Sequence, residues 1–130
     1  MERFVLMYHF EDKKSEKNFE NVLHERFPRH KVEENGSLRY FGFADRAEPG
    51  VVDKLNTVLS RVEKSSKDYV ALYHAKHANP NSITRTMLVG HDNVLENKVE
   101  KLSNDAHQNS LSDLLDYDYQ KAAQSGNGQA

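Results

Sequence analysis

Three side chains in one short segment have the chemistry to hold a nucleic acid or a partner surface. In the run RYFGFA, residues 39–44, the two-residue alternation of a β-strand places Arg39, Phe41 and Phe43 on one face. Aromatic rings stack on unpaired bases and a guanidinium contacts phosphate, so the three residues predict an RNA-binding platform. The same pattern is also typical of rings buried in a core or in a dimer interface, because aromatic strand residues are usually buried.

Segment 39–44 resembles the RNP1 motif of RNA-recognition-motif domains, in which a basic residue precedes a Gly, an aromatic residue, a Gly or Ala and a second aromatic residue. That family carries the motif on the third strand of a βαββαβ domain. The resemblance covers six residues, with Tyr40 in place of the first Gly. It implies that Phe41 and Phe43 stack on bases and that Arg39 contacts a phosphate.

Two histidines each follow a tyrosine in predicted strands. The dipeptides Tyr8-His9 and Tyr73-His74 fall in the first and fourth strands, which are neighbours in the fold expected below. We therefore expect the two imidazoles to share a face. With a nearby carboxylate they would bind zinc or another divalent ion; alternatively, both are half-exposed strand residues without a ligand.

The acidic pair Glu11 and Asp12 directly follows the first predicted strand. In plan the chain is similar to the small nucleases of the CRISPR adaptation family, which have a ferredoxin-like fold, a fifth strand used in dimerisation and an acidic residue at the end of strand one. The resemblance implies a dimeric, metal-dependent nuclease. The Tyr-Asp step of that family reads Tyr8-His9 here, and a shared architecture does not establish a function.

Motifs for other chemistries are absent from the sequence. It contains no phosphate-binding Gly-rich loop, no Ser-centred nucleophile elbow and no HExxH helix. It also has no cysteine, which excludes disulfides, thiolate zinc sites and cysteine nucleophiles. We therefore expect a non-enzymatic protein without a cofactor. A basic cluster near residue 30 is typical of a solvated surface; it comprises Arg26, Arg29, His30 and Lys31.

Composition fits one folded domain. The chain has 130 residues, of which 37% are hydrophobic and 29% charged, with a net charge of −2. The first apolar run ends at Glu11 and lacks the features of a signal peptide, and no segment approaches the ~20 apolar residues of a membrane helix. We therefore expect a cytoplasmic protein that does not associate with a membrane.

Hydrophobic periodicity predicts an α+β fold. Asn35-Gly36 is the strongest hairpin signal, and Pro49 opens an amphipathic helix. The elements read β-α-β-β-α-β and then β-α, which is a ferredoxin-like βαββαβ sandwich with an extra C-terminal strand and a short helix. The expected strands and helices cover residues 3–10, 15–27, 31–34, 37–43, 49–62, 69–76, 83–89 and 94–102.

Two regions follow from this pattern. Residues 1–102 form a single α+β domain, and residues 103–130 form a polar, largely disordered C-terminal tail. Four apolar side chains in the tail suggest a docking peptide for a protein partner; they are Leu111, Leu114, Leu115 and Tyr119.

A ferredoxin-like sheet leaves one face without helices, and the first strand is apolar on both faces. An exposed apolar patch of that size marks an interface, so we predict a homodimer formed sheet to sheet or through residues 83–89. Phe41 and Phe43 are expected on the face away from the helices, under the dimer partner. The expected function is a small non-enzymatic binding or regulatory module acting as a homodimer. The alternative is a nucleic-acid-directed protein, either an RNA binder or a metal-dependent nuclease.

Overall fold

The computed structural model describes residues 2–35, 38–62, 65, 67–75, 83–90 and 104–119. These residues form an α+β fold with one five-stranded antiparallel sheet and three helices, so the predicted class is confirmed. The arrangement is compatible with a ferredoxin-like plan. The elements are β1 (Glu2–His9), α1 (Lys13–Arg26), β2 (His30–Asn35), β3 (Leu38–Asp45), α2 (Glu48–Leu59), β4 (Tyr69–Ala75), β5 (Ile83–Val89) and α3 (Asn104–Asp116).

The sheet has the strand order β2-β3-β1-β4-β5, with every neighbouring pair antiparallel. Asn35 lies opposite Leu38, so the predicted hairpin joins β2 to β3 through residues 36 and 37, which lie outside the described residues. β5 extends the sheet beyond β4. A β-bulge interrupts the β4–β5 pairing between Val70 and Ala71. Among the described residues, no helix is long and apolar enough to cross a membrane.

The first two helices begin at different kinds of cap. Asp12 caps α1, because its carboxylate accepts hydrogen bonds from the Lys14 amide (3.3 Å) and the Ser15 hydroxyl (2.9 Å). The helix predicted over residues 15–27 therefore begins two residues earlier, at Lys13. The Asp12 carboxylate satisfies the donors that a helix N-terminus leaves open, and Ser15 lies inside the helix. In α2, Pro49 stands in the first turn, as expected.

One apolar layer lies between the sheet and helices α1 and α2. The strands supply every second side chain to it, and the helices supply the stripe predicted from their periodicity. Its buried members are Phe4, Leu6, Tyr8, Phe10, Phe19, Leu23, Phe27, Phe41, Phe43, Val51, Leu55, Val58, Leu59, Val70 and Leu72.

A second apolar layer lies on the opposite face of the sheet, where α3 packs. The strands supply the alternate set of side chains, and α3 supplies three leucines. The members of this layer are Val5, Met7, Leu38, Tyr40, Tyr69, Ala71, Tyr73, Ala75, Leu111, Leu114 and Leu115. The sheet is therefore covered by helices on both faces.

The α3 helix differs from the polar, largely disordered tail that the sequence predicts from residue 103. Leu111, Leu114, Leu115 and Tyr119 are buried, and they recur at the spacing of one helical stripe. That stripe docks onto the chain's own sheet. Residues 120–130, and the short helix predicted over residues 94–102, lie outside the described residues.

Candidate functional site

Phe41 and Phe43 are fully buried in the layer beneath α1 and α2. Phe43 stacks on Phe27, with ring centroids 4.1 Å apart, and Phe41 stacks on His30 at 4.8 Å. The prediction that the two rings lie away from the helices is wrong, because the other face of β3 is also apolar and receives α3. The rings that resemble an RNA-stacking pair are part of the core in this structure.

Arg39 lies on the same face at the end of the layer, where carboxylates surround it. It forms ion pairs with Glu20 and Glu34, and its Nε lies 3.9 Å from Glu16. Tyr8 donates a hydrogen bond to Glu20 at 2.8 Å, and burial followed by the Glu20 charge raises the pKa of this phenol. The guanidinium predicted to contact phosphate is thus neutralised within an ion-pair cluster.

His9 and His74 do not come together. In the antiparallel β1–β4 register, His74 lies opposite Phe4 and His9 lies opposite Tyr69. The two histidines are therefore about 17 Å apart along the sheet and point to opposite faces. The predicted two-histidine metal site is wrong, since the matching Tyr-His dipeptides do not align when neighbouring strands run antiparallel.

The two residues after β1 make structural contacts, Asp12 through its carboxylate and Glu11 through its backbone amide. Asp12 caps α1, and those hydrogen bonds lower the pKa of its carboxyl. The Glu11 amide donates to Asp68 at 2.7 Å, and Asp68 also accepts from the Ser65 amide at 2.7 Å. Within the described part of the chain, no group of three or more His, Asp or Glu residues is placed to hold a metal ion.

His74 nevertheless occupies a distinctive position. Its ring is buried and stacks on Phe4, with centroids 4.6 Å apart. Nδ1 lies 2.9 Å from Glu48 Oε2, and Nε2 lies 3.0 Å from Glu2 Oε2 without the alignment of a hydrogen bond. The two carboxylates approach opposite edges of the ring, so they clamp the imidazole and do not converge with it on an ion.

An open groove of about 750 Å³ lies beside this clamp. Glu2, Glu48 and Asp53 make it acidic, while Pro49 and Val52 give it an apolar wall. Sequence reasoning identified His74 and missed both carboxylates that hold it. Glu2 belongs to the first strand and Glu48 to the first turn of α2, and no spacing in the sequence connects them to His74.

The two edges of the sheet differ in charge. Lys31, Glu33 and Glu34 occupy half of the six positions of β2, and Lys31 lies 3.9 Å from Glu33. Charged side chains of this kind protect an edge strand from pairing with another chain. Arg85 is the one charged residue among the seven of β5, and within the described residues only β4 pairs with this strand.

Comparison with known proteins gives no assignment. No protein-family model matches the chain, and no curated protein or solved structure is significantly similar to it. The candidate features are therefore the β5 edge and the acidic groove at His74, which adjoin each other because Thr86 of β5 lines the groove.

Proposed function

We propose that the protein is a small, non-enzymatic binding or regulatory module of ferredoxin-like plan that acts as a homodimer through β5. The strand order β2-β3-β1-β4 supports the βαββαβ plan, to which β5 is the addition. The observation that carries the proposal is the difference between the two sheet edges: β2 is rich in charge, whereas β5 is not.

Association at an edge suits a sheet with two covered faces. The sequence offered two routes to a dimer, sheet to sheet or through residues 83–89. The face expected to be open receives Leu111, Leu114 and Leu115 of α3, so the sheet-to-sheet route would require displacing that helix. Among the described residues, the edge route displaces no element, and main-chain hydrogen bonds to an added strand would supply its affinity.

The sequence of β5 suits antiparallel pairing with a second copy. A pairing centred on Thr86 places the two Thr86 side chains opposite each other, a favourable cross-strand pair. Arg85 then lies opposite the partner's Met87, so the two guanidiniums are not directly opposed. A two-fold symmetric contact of this kind uses the β5 edge of both copies, so it does not continue beyond a dimer. The outer edges of the combined sheet are then the two charged β2 strands.

A non-enzymatic role fits the contacts of the residues that looked most reactive in the sequence. Asp12 caps a helix, Arg39 lies among carboxylates, and His74 is held between Glu48 and Glu2. These contacts use the groups to stabilise the fold. A cytoplasmic location stays a prediction from the sequence.

The test is the molar mass in solution. Size-exclusion chromatography with light scattering should give twice the chain mass of 15.0 kDa at micromolar concentration. Thr86→Lys should give the monomer mass, because like charges directly opposite each other destabilise a strand pair. Thr57→Lys, which adds the same charge at an exposed position of α2, should remain dimeric. A monomeric wild type, or a Thr86→Lys variant as dimeric as the wild type, would refute the proposal.

A further inference from the structure

We propose that a second groove, at the C-terminal end of α1, binds a small molecule through its phosphate group. The groove has a volume of about 340 Å³. Three parts of the fold meet there: residues 26–29 after α1, Ala44 and Asp45 at the end of β3, and Lys54 of α2. Tyr119, which follows α3, completes the wall.

The charge of this groove is positive. Arg26, Arg29 and Lys54 line it, against one carboxylate, that of Asp45. Lys54 Nζ lies 2.9 Å from Asp45 Oδ2, and Asp45 also accepts a hydrogen bond from the Arg46 amide at 2.7 Å. The single negative group is therefore engaged by its neighbours.

The two arginines are available to a ligand. Neither Arg26 nor Arg29 forms an ion pair with any residue that the structure describes, and both are exposed. Guanidinium groups bind phosphate oxygens through paired, charge-assisted hydrogen bonds, and two arginines offer such a pair to more than one oxygen of the same phosphate group.

The carbonyl groups at the end of α1 do not oppose such a ligand as strongly as the helix dipole alone would suggest. His30 Nδ1 lies 2.7 Å from the Phe27 carbonyl oxygen, which can only accept, so this nitrogen is the donor. The Phe27 amide in turn donates to the Leu23 carbonyl at 2.8 Å. These contacts satisfy two of the carbonyl groups that carry the partial negative charge at this end of the helix.

The apolar walls indicate that the ligand has more than a phosphate. Phe27 and Tyr119 are both buried residues that line the groove, beside Pro28. Lys54 Nζ lies 5.9 Å from the centre of the Phe27 ring, so a cation and an aromatic surface are adjacent. An organic phosphate presents the matching pair of groups.

A small ligand fits the surroundings better than a nucleic-acid strand. Exposed Asp116 and Asp118 precede Tyr119 in the chain and place negative charges beside that wall of the groove. A long polyanion would meet these charges, whereas a compact phosphate would meet only the arginine wall.

The test is a titration with pyrophosphate followed by the backbone amide resonances of the full chain, compared with sodium chloride at equal ionic strength. Pyrophosphate should shift the amides of Arg26, Phe27, Arg29 and residues 44–46 in a saturable manner. Arg26→Gln and Arg29→Gln should each weaken binding about ten-fold, which corresponds to about 1.4 kcal/mol. Arg61→Gln should bind as the wild type does, because Arg61 lies at the opposite end of α1, near Asp12 and Ser15.

The same spectra report whether each variant is folded, so loss of binding is separated from loss of structure. Shifts that sodium chloride reproduces, or that the Arg61→Gln variant loses equally, would overturn the proposal. Tighter binding of a single-stranded RNA oligomer that depends on the same two arginines would overturn the small-molecule assignment.

Discussion

Tyr119 places its phenolic oxygen directly over Gly42, in the space that a Cβ atom on residue 42 would fill. The same hydroxyl donates a hydrogen bond to the Leu114 carbonyl at 2.6 Å. Burial raises the pKa of the Tyr119 phenol, so it remains a donor throughout the neutral range. The segment after α3 thus closes onto the middle of β3, and glycine at position 42 is required for that close approach.

Replacing this glycine should loosen the second layer. We expect Gly42→Ala to lower the free energy of unfolding by about 1–3 kcal/mol, because the added methyl group displaces Tyr119 and crowds Leu114. Urea unfolding followed by circular dichroism measures the change. Gly50→Ala is the matched control: nothing lies within 4 Å of its Cβ position, and alanine in α2 should leave stability equal or slightly higher. Equal stabilities of the Gly42→Ala variant and the wild type would show that Tyr119 is not seated there.

The α3 helix should contribute to stability as a core element does. Leu114 is fully buried, so Leu114→Ala should lower the free energy of unfolding by about 2–5 kcal/mol. Asp113→Ala, one residue away on the exposed side of α3, should change it by no more than about 0.5 kcal/mol. Thermal or urea unfolding of the two variants side by side makes the comparison. An unchanged free energy of unfolding in Leu114→Ala would show that residues 104–119 do not pack against the sheet.

Arg39 should act as a structural cation. Arg39→Gln leaves Glu16, Glu20 and Glu34 without their shared partner, and we expect a loss of about 1–3 kcal/mol of unfolding free energy. Adding Glu20→Gln should recover part of the loss, because the two charges act together. A double-mutant cycle in urea measures this coupling energy. Additive effects of the two substitutions would contradict the ion-pair role.

Stability should fall in mildly acidic solution because of His24. Its ring lies 4.2 Å from that of His30; although the residue is largely exposed, partial desolvation of the ring, followed by the His30 charge, lowers the pKa of His24 below its ordinary value of 6.5. Below pH 6.5 the unfolded chain takes up a proton that the folded protein resists, so protonation favours unfolding. The stability that the folded protein has with neutral His24 is fully present above pH 6.5, and it is lost as the pH falls through the pKa of His24 in the folded protein.

His24→Gln isolates this effect, since glutamine does not titrate. Unfolding free energies measured from pH 7 down to about pH 5 should decline less steeply in the variant than in the wild type. This pH range lies above the range in which carboxyl groups ordinarily titrate. Asp45 contributes only at lower pH, because Lys54 and Arg46 outweigh the effect of burial and lower the pKa of its carboxyl. Identical slopes for the two proteins would exclude His24 as the source.

Local sequence determined most of the secondary structure of this protein. The strands follow from two-residue alternation, the hairpin from Asn35-Gly36, and the α2 start from Pro49, because each signal acts within a few residues. The spacing of Leu111, Leu114, Leu115 and Tyr119 was also visible in the sequence, although the polar residues around it favoured an unpacked tail.

Only the tertiary structure decided which surfaces those elements cover. Both faces of β3 are apolar, so alternation could not tell whether Phe41 or Tyr40 faces α1; the answer depends on where α3 docks. The clamp of Glu2 and Glu48 on His74 depends on the β1–β4 register and on the position of α2. Such contacts join residues far apart in the chain, and their energies arise only after packing has fixed the distances between them.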